Sequence, residues 1–206
     1  MQNVTLGRCT FKTGEKCIFK SITNFLSALT EVLSDEYKAR ASRVHPLPWL
    51  DKMRFDLDTV YTKLRIVRRK KNGWKKSNKI VELRDIFDND LGSDENPRLI
   101  LIEGSPGMGK TTLSLKLAYD WAKGKMPTKF PPVQQVLLIK CRDMKSNILE
   151  AITEQLFPLD EDSLNKKLRT FITEQPEKTL LVVDGLDETP EAATEHVTNL
   201  LTGKCL

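Results

Sequence analysis

Short apolar runs alternate with amphipathic stretches along the second half of the chain. The apolar runs are RLILIE at 98–103, VLLI at 136–139 and LLVV at 180–183, and they suit strands buried on both faces. The stretches at 113–124, 147–157 and 163–174 repeat their apolar residues at helical spacing. Strands that alternate with helices predict an α/β fold with a parallel sheet, in which ligands bind at the carboxyl ends of the strands.

The first half of the chain has a different pattern. Apolar residues at three-and-four spacing predict an amphipathic helix over Ser21–Tyr37, and the prolines of VHPLPWL at 44–50 end it. Thr59–Val67 predicts a strand or extended segment, followed by a basic stretch that predicts an exposed hairpin or loop. The turn-rich string before residue 98 marks a boundary. We therefore predict a helical amino-terminal segment at 1–45, a linker with a basic loop at 46–97, and an α/β core at 98–206.

Length and composition narrow the class of protein. A chain of 206 residues with 39% hydrophobic and 30% charged residues can bury one substantial core. No apolar run is long enough to cross a bilayer, and the first twenty residues lack the unbroken apolar stretch of a secretory signal. We expect a cytoplasmic protein that does not insert into a membrane.

The positive charge belongs to one segment. Lys63–Lys79 holds nine basic residues and no acid, which exceeds the net charge of +5 of the whole chain. Trp74 is the one aromatic residue in it that could stack on a base. This pattern favours a solvated face over nucleic-acid binding. The 4 cysteines and 2 histidines also lack the spacing of a zinc site.

Residues 104–111, GSPGMGKT, fit the phosphate-binding loop G-x-x-x-x-G-K-[ST] and lie between a predicted strand and a predicted helix. Such glycines let backbone N–H groups face phosphates at a helix amino terminus. Lys110 would reach the β and γ phosphates, the Thr111 hydroxyl would bind Mg²⁺, and Thr112 would lie near the α phosphate. The alternative is a glycine turn with a surface lysine. The residues predicted to hold the nucleotide are Gly104, Ser105, Pro106, Gly107, Met108, Gly109, Lys110, Thr111 and Thr112.

The second motif is LLVVDGLDE at 180–188. An apolar strand that delivers an aspartate at its carboxyl end is how phosphate-loop folds hold Mg²⁺, so Asp184 is the predicted metal ligand. Glu188 or Asp187, one turn further on, would polarise an attacking water and make the site catalytic. The alternative is a capped strand end with its acids in solvent.

These motifs together resemble a known family. GSPGMGKTTL, then YDWAKG, LLIKCRD and LLVVDGLDE, are similar to the NACHT domain of NOD-like receptors, signalling ATPases of the STAND class of P-loop NTPases. The resemblance covers roughly Phe55–Leu201. It implies a three-layer parallel sheet, ATP or ADP with Mg²⁺ as ligands, a nucleotide-dependent switch, and a second copy or a signalling protein as partner. It also implies that Tyr61 and Thr62 lie against the adenine.

The chain departs from the family pattern after the acidic motif. A NACHT module continues with a strand ending in a sensor arginine, a helical lobe and a winged helix, so we expect a carboxyl-terminally truncated module with an incomplete sheet and doubtful hydrolysis. Two other functions stay open. A small-molecule kinase shares the loop, although 141–179 has no arginine-rich lid. A protein-interaction fragment would keep only vestigial nucleotide binding.

Overall fold

The computed structural model of the chain describes residues 13–44, 54–69, 76–87, 99–127, 130, 132–157 and 162–202. The predicted boundary tryptophan Trp49, and Trp74 in the basic loop, lie outside the described residues. All statements below concern the described part of the chain.

The first half begins with helix α1 at Thr13–Arg40, which confirms the predicted amphipathic helix and lengthens it at both ends. A two-residue strand and its antiparallel partner follow, then a short helix and an antiparallel hairpin that confirms the hairpin predicted for the basic segment. These elements are β1 at Arg43–Val44, β2 at Phe55–Asp56, α2 at Leu57–Val60, β3 at Ile66–Arg69 and β4 at Lys76–Val81.

The strand predicted over Thr59–Val67 is wrong in its first part, because Thr59 and Val60 lie in α2. Asp56 caps this short helix: its Oδ1 accepts the N–H of Asp58 at 2.8 Å. Leu57 is fully buried. A capped turn around one buried leucine outweighs the β propensity of the residues after it, and the strand begins only at Ile66.

The second half has the predicted alternation of helices and strands. Its elements are α3 at Lys110–Ala122, β5 at Gln135–Lys140, α4 at Ile148–Leu156, α5 at Asp162–Glu174, β6 at Thr179–Asp184 and α6 at Glu191–Leu201. Strands β5 and β6 pair in parallel, in register from Gln135 with Thr179 to Lys140 with Asp184. Helix α3 packs against both strands, and α4 packs against β5 and α6.

The remaining strand predicted for this half of the chain, 98–103, is not formed in the described residues 99–103. A β-strand needs a neighbour for its backbone N–H and C=O groups, and no described strand pairs with this segment. Its side chains still alternate between packed and exposed positions. Ile100 packs against a small apolar cluster, whereas Leu99 and Leu101 are 50% and 56% exposed. The described parallel sheet is therefore a two-stranded pair.

Helix α1 covers the outer edge of β5. The Tyr37 hydroxyl donates to the carbonyl of Val136 at 2.9 Å and accepts the N–H of Leu138 at 3.0 Å. Gln135 Nε2 donates to Thr30 Oγ1 at 2.6 Å. Side chains of α1 thus satisfy the edge of the strand as a neighbouring strand would. Four residues of α1 and the turn after it join the main core: Leu29, Leu33, Tyr37 and Ala41.

A second, smaller core joins the hairpin to the rest of the protein. Val81, Ile86 and Phe87 contact Leu117 of α3 and Phe130. The rings of Phe87 and Phe130 meet edge to face with centroids 4.8 Å apart. Residues of all three predicted segments therefore contribute to the two clusters, while the segment boundaries stay a prediction. Within the described residues, no helix is long and apolar enough to span a membrane.

Candidate functional site

The loop of residues 104–109 makes a sharp turn into α3. Gly107 and Gly109 have φ of 76° and 82°, a left-handed conformation that favours glycine. Gly109 is also the residue that precedes the first turn of α3. A Cβ at Gly109 would lie 3.4 Å from Leu64 Cδ2, so the chain of residues 61–65 passes close behind the loop. The sequence prediction of a loop that opens a helix is confirmed.

Lys110 folds back over the loop it follows. Its Nζ donates to the carbonyl of Gly104 at 2.6 Å and to that of Ser105 at 3.2 Å. The lysine therefore holds the loop in shape from inside. A phosphate bound there would offer the ammonium anionic acceptors in place of these two neutral carbonyl acceptors.

Three of the residues predicted from the two motifs meet at the carboxyl ends of the strands. Thr111, Asp184 and Glu188 line a cavity of about 50 Å³. Asp184 is held from α3, because the Ser114 hydroxyl donates to its Oδ1 at 3.3 Å. Ser114 is a site residue that the sequence analysis missed. The signal for it was its position one helical turn after Lys110.

Glu188 reaches the cavity by a tight turn. Gly185 follows Asp184 with φ of 77°, and its carbonyl accepts the N–H of Glu188 at 2.9 Å. A Cβ at Gly185 would lie 3.3 Å from Glu188 Oε2. Glycine is therefore needed both for the backbone conformation and for the carboxylate that folds over it. Asp187 is exposed and does not line this cavity.

The end of β5 supplies two cations that the sequence analysis missed. Lys140 and Arg142 line the same cavity as Asp184 and Glu188. The sequence contained a signal for them. Lys140 ends β5 as Asp184 ends the parallel strand β6, and Arg142 follows two residues later. The cavity thus has a basic wall on the side of β5 and an acidic wall on the side of β6.

Cys141 lies between these cations and is buried. Burial raises the pKa of its thiol, a hydrogen bond with Thr189 opposes this, and the nearby carboxylates of the acidic motif raise the pKa further. The thiol is therefore neutral at physiological pH and serves as packing.

Tyr61 and Thr62, predicted to contact the adenine, lie on the segment behind the loop. The Tyr61 ring is half-buried against the main core, with Lys116 Nζ 5.6 Å from its centroid. Burial raises the pKa of the Tyr61 hydroxyl. Thr62 is exposed. The adenine contact stays a prediction.

An ion-pair network fastens this segment to α3. Asp58 contacts Lys116 at 3.1 Å and Lys123 at 2.8 Å. Hydrogen bonds from Lys123 and then Lys116 lower the pKa of Asp58 to about 2. The network keeps residues 57–64 against the helix that begins at the loop.

The donors around the cavity suit a hard cation held mostly by oxygen. No group of three or more His, Cys, Asp and Glu side chains in the described residues could enclose a metal ion. Thr111 and Asp184 offer one hydroxyl and one carboxylate. That is the donor set of a Mg²⁺ that keeps water and phosphate oxygens as its other ligands.

Comparison with known proteins agrees with this geometry. A family model described as the NACHT domain matches residues 98–205. The matched range begins just ahead of the phosphate loop and includes both strands, both motifs and α6.

Individual relatives are similar over the same part of the chain. NACHT, LRR and PYD domains-containing protein 10 of Homo sapiens is 33% identical over 109 residues, which cover 52% of this chain and 16% of the relative. NACHT, LRR and PYD domains-containing protein 1a allele 5 of Rattus norvegicus is 30% identical over 110 residues, which cover 53% of this chain and 9% of the relative. The chain therefore spans less than a fifth of the length of these relatives.

Proposed function

The chain belongs to the NACHT domain family, and from this premise we propose that it is an ATP- and ADP-binding module of a NOD-like-receptor type signalling ATPase. The single observation that carries the proposal is the cavity shared by Thr111, Asp184 and Glu188, directly beside the phosphate loop. A metal-binding hydroxyl, a metal-binding carboxylate and a water-orienting carboxylate are the groups that phosphoryl transfer to water requires. For the fold, we propose the three-layer arrangement of P-loop NTPases, which is built on a parallel sheet.

Each residue has a distinct part in this proposal. Backbone N–H groups of 104–109 and the ammonium of Lys110 hold the phosphates, and Thr112 lies at the α phosphate. Thr111 and Asp184 hold Mg²⁺, with Ser114 fixing the carboxylate of Asp184 through its 3.3 Å hydrogen bond. When bound, Mg²⁺ neutralises charge on the phosphate oxygens. Glu188 orients the attacking water.

Binding is tested by calorimetric titration of the full chain with Mg-ADP, together with thermal melts. Saturation at about 100 times Kd adds roughly 2.7 kcal/mol of stability, a rise in Tm on the order of 5 to 10 °C. Lys110→Ala removes the ammonium and is expected to abolish both signals. The matched control is Lys145→Ala, because Lys145 is an exposed lysine that pairs with Glu154 at 3.2 Å, away from the cavity. Undiminished binding by Lys110→Ala would contradict the site.

Hydrolysis is tested separately from binding. Glu188→Gln keeps the shape of the side chain and removes its charge, so Mg-ATP affinity is expected to change little while phosphate release falls by about 10²-fold or more. Asp187→Asn is the matched control, because Asp187 neighbours Glu188 and does not line the cavity. If Asp187→Asn lost turnover and Glu188→Gln kept it, the two roles would be exchanged.

Self-association belongs to the same proposal. We infer that the ATP-bound chain associates with a second copy or with a signalling protein, as the switch mechanism of the family implies. Sedimentation velocity with Mg-ADP and with a non-hydrolysable ATP analogue compares the two states. A monomer in both states would contradict self-association by this chain.

A further inference from the structure

We propose that Arg142, together with Lys140, reads the terminal phosphate and makes the site prefer a nucleoside triphosphate over a diphosphate. This inference rests on the proposed function, since it assigns a specificity to the same site. It concerns two residues that neither the phosphate loop nor the acidic motif contains.

The charges around the cavity are divided between two strand ends. Asp184 and Glu188 come from the end of β6 and its turn, whereas Lys140 and Arg142 come from the end of β5 and its turn. Two carboxylates alone would repel a phosphate. Two cations on the facing wall reverse that repulsion for a group that brings Mg²⁺ to the acidic wall and phosphate oxygens to the basic wall.

Within the described residues, these opposite charges do not neutralise each other directly. Among the described residues, Arg142 Nε has its ion-pair contact with Asp143, at 3.7 Å, and no carboxylate pairs with Lys140. Neither cation pairs with Asp184 or Glu188 in that part of the chain, although Lys140 and Asp184 are register partners. The cations thus keep donor capacity for a ligand.

Hydrogen bonds fix the backbone that presents these cations. Gln155 of α4 accepts the N–H of Lys140 at 2.8 Å and donates to its carbonyl at 3.0 Å. Cys141 is fully buried, and its carbonyl accepts the N–H of Met144 at 3.0 Å. The two residues before Arg142 are therefore held in place, so the side chain starts from a defined point at the cavity edge.

The position of the cavity relative to the phosphate loop points the same way. Lys110 Nζ contacts the carbonyls of Gly104 and Ser105, and the lysine of a phosphate loop reaches the β and γ phosphates of a nucleotide. The cavity with Lys140 and Arg142 adjoins Thr111 and the strand ends. The cavity is small, with a volume of about 50 Å³. A triphosphate places one group more there than a diphosphate does.

The test compares two dissociation constants in the full chain. Calorimetric titrations with Mg-ADP and with Mg-β,γ-methylene-ATP are made for the wild type, Arg142→Ala, Arg142→Lys and Lys140→Met. We expect Arg142→Ala to weaken analogue binding roughly tenfold or more, as the loss of a charge-assisted contact does, and to change ADP binding less than twofold. Arg142→Lys is expected to restore part of the preference.

Lys145→Ala is the matched control, because Lys145 is 78% exposed on the same connection and does not line the cavity. Equal weakening of both ligands by Arg142→Ala, or no change in either, would overturn the inference and leave the proposed function standing. Lys140→Met decides the matter if Arg142→Ala does not fold, as judged by circular dichroism. A wild type that binds neither ligand would overturn the proposed function and this inference with it.

Discussion

Strand β5 and the apolar segment 99–103 are similar in sequence but differ in burial and in strand pairing. Both are short apolar runs, yet Val136 and Ile139 in β5 are completely buried while Leu101 is 56% exposed. The difference lies in the partners that each segment has for its backbone groups. β5 pairs with β6 on one side and receives the hydroxyl of Tyr37 on the other. Segment 99–103 has no described strand beside it. An apolar run becomes a strand only where its backbone groups find partners.

The comparison also shows what a helix can do in place of a strand. Tyr37 meets both a donor and an acceptor of β5, and its ring packs edge to face on Trp121 at 6.0 Å. The residues of α1 therefore protect the edge against pairing with other chains. We infer that the described part of α1 folds together with the candidate site.

The largest expected effect comes from truncating one leucine in α1 and, for comparison, one in segment 99–103. Leu33→Ala in α1 removes a fully buried side chain and should lower the free energy of unfolding by about 2 to 5 kcal/mol. Leu101→Ala, at a side chain that is half exposed, should change it by about 0.5 kcal/mol or less. Urea denaturation measures both. Similar losses would mean that segment 99–103 is packed as tightly as α1.

The next effect tests the cap on β5. Tyr37→Phe leaves the carbonyl of Val136 and the N–H of Leu138 without their partner, at a cost of about 1 to 3 kcal/mol in unfolding free energy. Faster amide exchange at Leu138 should accompany it. Tyr119→Phe is the control, because among the described residues the Tyr119 hydroxyl bonds only with the ammonium of Lys123, at 3.3 Å. If the two variants lost equal stability, the cap would have no special role.

Two glycine substitutions separate the effect of backbone strain on stability from an effect on hydrolysis. Gly185→Ala and Gly124→Ala each place a Cβ at positive φ and should each cost about 1 kcal/mol. A Cβ at Gly185 also approaches Glu188 Oε2 at 3.3 Å, whereas a Cβ at Gly124 meets nothing within 4 Å. Only Gly185→Ala should slow ATP hydrolysis. Equal turnover in the two variants would argue against the position of Glu188.

The smallest effect depends on pH. Asp58 has a folded pKa of about 2, below its usual value, so its pairing stabilises the protein above the unfolded pKa of about 4 and is lost as the pH falls toward 2. Because the pair is partly solvated, the contribution is below about 1 kcal/mol. Melts of wild type and Asp58→Asn should differ at pH 7 and converge at low pH. A constant difference across that range would contradict the assignment.

Much of the candidate site was predictable from sequence because it depends on local backbone rules. Gly107, Gly109 and Lys110 stand at fixed offsets in a loop that opens a helix, and Asp184 ends an apolar run. Lys140 and Arg142 were not predicted, because their place depends on which strand lies beside which, and Ser114 was missed although it stands one helical turn after Lys110. Thr59 and Val60 were misplaced because a cap at Asp56 outweighed their β propensity.

The sequence by itself determined the family, the phosphate loop, the acidic motif and the alternation of helices with β5 and β6, since each is written in local spacing or periodicity. Only the tertiary structure decided that Tyr37 would complete the edge of β5, that no described strand would pair with residues 99–103, and that two cations and two carboxylates would line one small cavity. Those outcomes depend on contacts between residues far apart in the chain, which local pattern does not encode.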